Sequence, residues 1–231
     1  MTRLALVFAA ALLSGCGGTA HGTATLWVTR DRGTHVLVTR EVPAGLTAMQ
    51  ALDRVADIET RYGGRYVQSI GGVGGSLAKR RDWFYFINGY EGDRSAAEYR
   101  LHVGDVEWWD FRSWKTRMRQ PVVVGTFPEP FLHGYNGKRR PARVLYFTAG
   151  QRRDAEALAR LLHGQATKNV FGAESLRANL LVLGRGAGVS FTTGHAAATR
   201  PGDPVAFLFI GNPKLLLASP PFGHHRYEVR P

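Results

Sequence analysis

The chain has 231 residues, of which 44% are hydrophobic and 21% charged, a composition typical of a globular protein with one or two domains. Its formal net charge is +12 and its isoelectric point is about 10.4, which favours anionic partners. The basic residues lie in short scattered runs and no nucleic-acid-binding module is recognisable, so we expect no nucleic-acid partner. The single cysteine, Cys16, excludes an internal disulfide framework and a cysteine-rich zinc site.

The first fifteen residues have the pattern of a secretory leader. Arg3 gives a short positive region, and Leu4 to Leu13 form an apolar stretch too short to span a bilayer as a stable helix. The sequence Leu-Ser-Gly-Cys that ends at Cys16 resembles the lipobox of bacterial lipoproteins. This resemblance implies a signal peptide at 1–15, lipidation of Cys16, a tether at 16–24 and a location on the extracytoplasmic face of the cell membrane. The alternative is an ordinary secretory signal with an unrelated cysteine.

Residues 25–119 are predicted to form the first folded unit. Alternating residues predict a hairpin of strands 25–29 and 35–40, and apolar periodicity from Leu46 to Ile58 predicts an amphipathic helix that ends at Gly63-Gly64. Asn88-Gly89 is a two-residue hairpin signal. Further strands are predicted at 65–70, 83–87, 99–103 and 106–112. The pattern predicts an α+β fold in which a mixed or mainly antiparallel sheet is covered by one helix.

Four segments of this unit resemble the transcobalamin C-terminal-like domain family. They are residues 45–52, 66–72, 83–89 and 104–108, and the resemblance covers about Thr25 to Trp114. It implies a small sheet-plus-helix fold close to the β-grasp type. In the animal carriers of this family the domain closes over one face of cobalamin, so the resemblance implies cobalamin or a related ring as a ligand.

Aromatic residues are predicted on both faces of the sheet. Strand alternation places Trp83 and Tyr85 on one face and Phe84 and Phe86 on the other. One face can pack under the helix, and the other needs a second unit or a ligand. The glycine-rich loop before this strand would let the backbone approach a ligand closely. The candidate ligand contacts are Gly71, Gly72, Gly74, Gly75, Tyr85, Asn88, Tyr90, Trp108 and Trp109. The alternative is that the rings form core or interdomain packing.

Residues 120–231 are predicted to form a small α/β domain of no recognised family. Strands are predicted at 144–147, 180–183 and 205–210, and a helix at 154–163. The glycines at 184–188 follow a strand, but no helix opens after them, so a phosphate loop is not indicated. The adjacent pair His224-His225 is interpreted as a surface pair rather than a metal site.

These patterns predict a binding protein rather than an enzyme. No nucleophile–base, metalloprotease or paired-carboxylate arrangement is evident, a hydrolase in the α/β half has no residue-level support, and no cofactor is required. The leading hypothesis is a lipid-anchored protein that captures cobalamin or a similar large ring for an importer. The alternative is a cell-envelope protein-interaction module without a small-molecule ligand.

Overall fold

The computed structural model describes residues 22–168, 177–194 and 200–231. The predicted leader, Cys16 and most of the predicted tether lie outside the described residues. Within them the chain forms thirteen strands and two α-helices, with these bounds: β1 Thr23–Arg30, β2 His35–Pro43, α1 Ala48–Asp53, β3 Ile58–Arg61, β4 Tyr66–Ile70, β5 Val73–Gly74, β6 Arg81–Ile87, β7 Tyr90–Glu91, β8 Val106–Ser113, β9 Ala142–Tyr146, α2 Arg152–Leu161, β10 Gln165–Thr167, β11 Asn179–Leu183, β12 Ser190–Thr193 and β13 Ala206–Ile210. The mixed α+β fold predicted from the sequence is confirmed.

The first unit contains a five-stranded sheet and a three-stranded sheet. The larger one has the order β2-β1-β8-β6-β7, and only the β1–β8 pair is parallel among its strand pairs. The smaller one has the order β3-β4-β5 and is antiparallel. Asn88 and Gly89 have positive φ angles of 51° and 85° and join β6 to β7, as the hairpin signal predicted. Both sheets contribute buried residues to a continuous hydrophobic core under α1.

Two predicted elements of this unit differ in the structure. The helix predicted from Leu46 to Ile58 spans only Ala48–Asp53, because the chain from Ile58 onward pairs with β4 instead. Its start has a capping box between Thr47 and Gln50, a signal present in the sequence. The strand predicted at 99–103 is absent from the described sheets, since its backbone bonds go to the loop that leads into α1. There the Leu101 carbonyl accepts from Gly45 N–H at 2.8 Å.

The second unit has the predicted α/β character. Its sheet has the order β10-β9-β11-β13-β12, with parallel pairs throughout except for the antiparallel pair β12–β13. The helix α2 packs against β9 and β10. The hydrophobic core continues from the first unit into this one. A domain boundary at residue 120 stays a prediction.

The C-terminal segment, residues 224–227, covers the second face of the larger sheet in the first unit. A separate apolar cluster joins Trp27, Phe86 and Trp108 to Val123 and Tyr227. The Tyr227 ring lies edge-on to Trp108 at 5.4 Å and to Phe86 at 5.2 Å between centroids. The alternation predicted for β6 is therefore confirmed, and the second aromatic face of the sheet is filled by the chain's own residues. Neither helix in the described part of the chain has the length and apolar character needed to cross a membrane.

Candidate functional site

Two predicted ligand contacts, Trp108 and Trp109, are sealed inside the protein. Their side chains are 0% and 3% exposed. Trp108 donates its indole N–H to Thr29 Oγ1 at 2.7 Å, and Trp109 donates to Glu107 Oε1 at 2.5 Å. The expectation that these rings contact a ligand is therefore corrected: both belong to the core, because β8 is a central strand covered on its two faces.

Asn88 and Tyr90 are buried for a different reason. Asn88 Nδ2 donates to Asp105 Oδ1 at 2.7 Å and to the Gly134 carbonyl at 2.9 Å. The Tyr90 hydroxyl donates to the Asp203 carbonyl at 2.7 Å. Both side chains tie the β6–β7 hairpin to later parts of the chain, so they are structural and not ligand contacts, which is a second correction.

Tyr85 is half-buried and also engaged. Its ring stacks on Trp109 with centroids 5.2 Å apart and an interplanar angle of 27°. Its hydroxyl donates to the Arg94 carbonyl at 2.5 Å. Burial raises the pKa of Tyr85 well above its usual range, and the nearby Asp93 carboxylate raises it further. The phenol stays neutral and fixes the segment that carries Asp93 and Arg94.

The glycine-rich loop, in contrast, is open to solvent. Gly71, Gly72 and Gly74 are exposed, and a Cβ on Gly71 or Gly72 would meet nothing within 4 Å. Both have positive φ angles, 55° and 74°, at the turn between β4 and β5. A ligand contact by these glycines stays a prediction, and their backbone is accessible for it.

A cavity of about 470 Å³ adjoins this loop, and we call it the glycine-loop pocket. It is formed where the turn after β3, the strand β4 and the loop before β6 meet. Its lining consists of Gly75, Ser76 and six larger side chains: Arg61, Tyr62, Tyr66, Gln68, Leu77 and Asp82. Leu77 and Tyr62 are 82% and 78% exposed, the highest values among large apolar side chains in the described residues. Exposed large apolar groups on either side of a cavity are typical of a binding site.

Hydrogen bonds hold the floor of the glycine-loop pocket in place. The Tyr66 hydroxyl donates to the Asp82 carboxylate, and Gly75 N–H donates to the Gln68 carbonyl at 3.0 Å. Partial burial and the bond to Asp82 raise the pKa of Tyr66 well above its usual range, so this phenol remains a neutral donor. The Tyr62 ring lies edge-on to the Tyr66 ring, 6.1 Å between centroids. The pocket therefore combines polar groups held by hydrogen bonds with the solvent-exposed aromatic ring of Tyr62.

A second cavity of about 470 Å³ is strongly basic, and we call it the basic cleft. It lies between the segment at 93–94, the turn at 135–140 and the segment at 201–203. Its cationic residues are Arg94, Lys138, Arg139 and Arg140, and its acidic residues are Asp93 and Asp203. The sequence showed the basic run at 138–140, but the approach of residues 93–94 to it depends on tertiary packing.

The histidine pair, interpreted from the sequence as a surface pair, is partly buried against Trp27. The rings of His224 and His225 lie 4.7 Å and 4.2 Å from the Trp27 ring, edge-on, and both residues are partly buried. Burial lowers the pKa of both, that of His225 to about 4, with His224 and Arg226 lowering it further. They act as neutral packing groups. In the ranges that the structure describes, no three His, Cys, Asp or Glu side chains are grouped as metal ligands would be.

Part of the chain matches a known domain family in sequence. Residues 45–113 match the family model DUF4430, a domain of unknown function. This range runs from the loop before α1 to the end of β8 and contains the whole glycine-loop pocket. No curated protein matches the chain in sequence. Membership in the transcobalamin C-terminal-like family stays a prediction.

Two solved structures are similar to part of the chain. A candidate metal-binding protein from Ruminococcus gnavus has 15% sequence identity and a TM-score of 0.33, and the match covers 40% of this chain and 97% of that one. Haptocorrin in complex with Cbi has 16% identity and a TM-score of 0.33 over 39% of this chain. The chain spans 24% of the length of haptocorrin.

Sequence reasoning missed Tyr62, Tyr66 and Leu77 as site residues. Leu77 and Tyr62 lie in turn segments that look unremarkable, and only their joint exposure beside one cavity marks them. A signal was nevertheless present, since Tyr62 directly precedes Gly63-Gly64 and a bulky residue in a turn is rarely part of the core.

Proposed function

We propose that this chain is a lipid-anchored extracytoplasmic binding protein that captures cobalamin or a similar large amphipathic ring in the glycine-loop pocket. The observation that carries the proposal is the exposure of Tyr62 and Leu77 on one cavity, which Gly75 at the end of the glycine-rich loop also lines. Lipidation at Cys16 and transfer of the ligand to an importer are parts of this proposal that rest on the sequence.

The chemistry of the pocket suits a flat ligand with polar edges. The Tyr62 ring and the Leu77 side chain offer apolar area that a macrocycle can cover. The Gln68 amide, the Tyr66 hydroxyl and the peptide groups of the loop can pair with amide groups at the edge of such a ring. The volume lies within the range of small-molecule sites, and the open side allows a larger ligand to extend beyond the cavity.

The polar groups of the glycine-loop pocket, Tyr66 and Asp82, support binding rather than catalysis. Tyr66 is held neutral, and Asp82 already accepts hydrogen bonds from Tyr66 and from its neighbour's backbone N–H at 2.9 Å. The phenol of Tyr66 is therefore not a base, and both oxygens of Asp82 are engaged as hydrogen-bond acceptors within the protein. Capture by burial of apolar area is the function that this arrangement supports best.

Titration with cobalamin tests the proposal. The chain from Gly17 onward, which contains every described residue, is titrated while the visible spectrum of the corrin and the protein fluorescence are followed. Tyr62→Ala and Leu77→Ala each remove apolar contact of about 1.5–3 kcal/mol, so we expect the affinity to fall roughly ten-fold or more for each variant.

Phe147→Ala is the matched control, because Phe147 is a large apolar residue that is 52% exposed in the second unit. It should bind as the unaltered chain does. If no saturable change occurs at high micromolar cobalamin, or if Phe147→Ala weakens binding as much as Tyr62→Ala, the capture function is wrong. The protein-interaction module would then be the better interpretation.

A further inference from the structure

The described chain begins near the segment that leads into the basic run. Gly22 packs against the side chain of Val103, and the Gly104 N–H donates to the Thr23 carbonyl at 2.8 Å. The Gly104 backbone in turn lies against the imidazole of His133, so closely that a Cβ there would collide with the ring. The point where the tether enters the fold is therefore one contact away from the segment that leads to the basic run.

The turn that carries the basic run is fixed to the body of the protein. Tyr135 and Lys138 exchange two backbone hydrogen bonds, of 3.0 Å and 3.2 Å, around Asn136-Gly137, whose φ angles are 52° and 69°. Asn136 N–H donates to the Tyr99 hydroxyl at 2.9 Å, and the Tyr135 hydroxyl donates to Asp93 at 2.7 Å. Lys138 and Arg139 thus project from a rigid support rather than from a free loop.

The cations of this surface are incompletely neutralised. Arg94 pairs with Asp93, but the hydrogen bonds of Arg140 within the described residues go to the carbonyls of Gly202 and Arg177. Lys138 and Arg139 are both exposed, and Arg139 shares a hydrogen bond with the imidazole of His163 at 3.3 Å. Two acidic side chains against four cations leave the cleft positive.

We propose that the basic cleft is a docking surface for the anionic phospholipid headgroups of the membrane that holds the tether. The inference rests on the proposed lipidation of Cys16. Six residue steps separate Cys16 from Gly22, and a chain of that length spans at most about 21 Å. This length keeps the Gly22 end of the fold within about 21 Å of the membrane surface. Rigid cations at that end lie within a short distance of lipid phosphates, and basic groups there add to the attraction of an anchored protein for anionic lipid.

The opposite end of the first sheet provides a matched control surface. In β6, Ile87 lies near the tether and Arg81 lies at the far end. Lys79 and Lys115 are exposed at that far end. Replacing both by glutamate changes the net charge as much as replacing Lys138 and Arg139 by glutamate does. A difference in vesicle binding between the two double variants therefore reports where the charge lies, because the total charge is the same.

The test is cosedimentation of the chain from Gly17 onward, which has no lipid, with vesicles of phosphatidylcholine alone or with 30 mole per cent phosphatidylglycerol, on the order of 0.1 M salt. We expect binding only to the anionic vesicles. In Lys138→Glu/Arg139→Glu it should fall roughly ten-fold or more, whereas Lys79→Glu/Lys115→Glu should bind nearly as the unaltered chain does. Equal thermal melts of both variants exclude unfolding as the cause.

Three results would overturn the inference: no preference for phosphatidylglycerol, equal losses in the two double variants, or displacement by millimolar inorganic phosphate, which would indicate a single-anion pocket. These outcomes are independent of the proposed function. Cobalamin titration of the same chain reports on the glycine-loop pocket, and the mass of membrane-extracted protein reports on lipidation of Cys16.

Discussion

At the scale of single residues, Glu107 combines complete burial with an ionisable side chain. It is 0% exposed on the central strand β8, where its Oε1 accepts from the Trp109 indole and its Oε2 has no hydrogen-bond partner. Burial raises the pKa of Glu107 well above its usual range, and the single bond from Trp109 offsets this only in part. The residue is therefore protonated in the folded chain under conditions where the unfolded chain ionises it.

The pH dependence of stability should report this protonation. A raised carboxyl pKa means that the folded state holds a proton which the unfolded state loses, so this contribution to stability is complete at low pH and declines as pH rises above about 4.5. Glu107→Gln keeps an acceptor for Trp109 and does not ionise. Its free energy of unfolding, relative to the unaltered chain, should rise with pH by at most about 1.4 kcal/mol per unit, as urea unfolding from pH 4 to 8 would show.

Glu41→Gln is the control for this comparison, since Glu41 is exposed on β2. It makes the same chemical change without altering the core. Difference curves of equal slope for the two variants would show that burial of Glu107 does not govern its protonation.

At the scale of elements, the C-terminal segment acts as the cover of the first sheet. The turn at Gly33 lies so close to this segment that a Cβ would overlap the His225 carbonyl, and its φ angle is 81°. Gly33 N–H also donates to Asp110 Oδ1 at 3.1 Å, which fixes the turn against β8. The close approach of Gly33 and His225 lets Trp27 and Trp108 be covered without a ligand.

Two glycine variants distinguish the effect of the close contact between Gly33 and His225 from the effect of backbone strain. Gly64 has a φ angle of 83° and no atom within 4 Å of an added Cβ, so Gly64→Ala should cost only the left-handed strain of about 1–2 kcal/mol. Gly33→Ala has the same strain and also displaces the C-terminal segment, so we expect it to cost at least about 2 kcal/mol more. Urea unfolding measures both. A red shift of tryptophan emission should accompany only Gly33→Ala. Equal losses of unfolding free energy in the two variants would contradict the role of the C-terminal segment as the cover of the sheet.

At the scale of the whole molecule, the sequence predicted local structure well and long-range covering poorly. The Asn88-Gly89 turn and the two aromatic faces of β6 follow from short-range patterns, and both are confirmed. The sealing of Trp108 by Tyr227 could not be predicted, because 119 positions separate them and no periodicity relates the two. The same limit applies to the glycine-loop pocket, which forms from three separate segments.

The basic cleft and the glycine-loop pocket meet the first sheet at different strand ends. The basic cleft and the start of the described chain lie at the Val106 end of β8, and the glycine-loop pocket lies at the Ser113 end, where Asp82 pairs with Arg112. Away from β8 the two cavities approach each other, since Ser95, which follows Arg94 of the cleft, donates its hydroxyl to the carbonyl of Arg65 at 2.6 Å, and Arg65 precedes Tyr66 of the pocket. The two surfaces are therefore linked through the contact between Ser95 and Arg65.

Hydrogen–deuterium exchange of the chain from Gly17 onward, with and without saturating cobalamin, tests the central claim most directly. We expect slower exchange confined to the amides of residues 61–77, because the ligand covers the glycine loop and the flanking turns. Unchanged exchange across this stretch, or protection located instead at the basic cleft, would contradict ligand capture by the glycine-loop pocket.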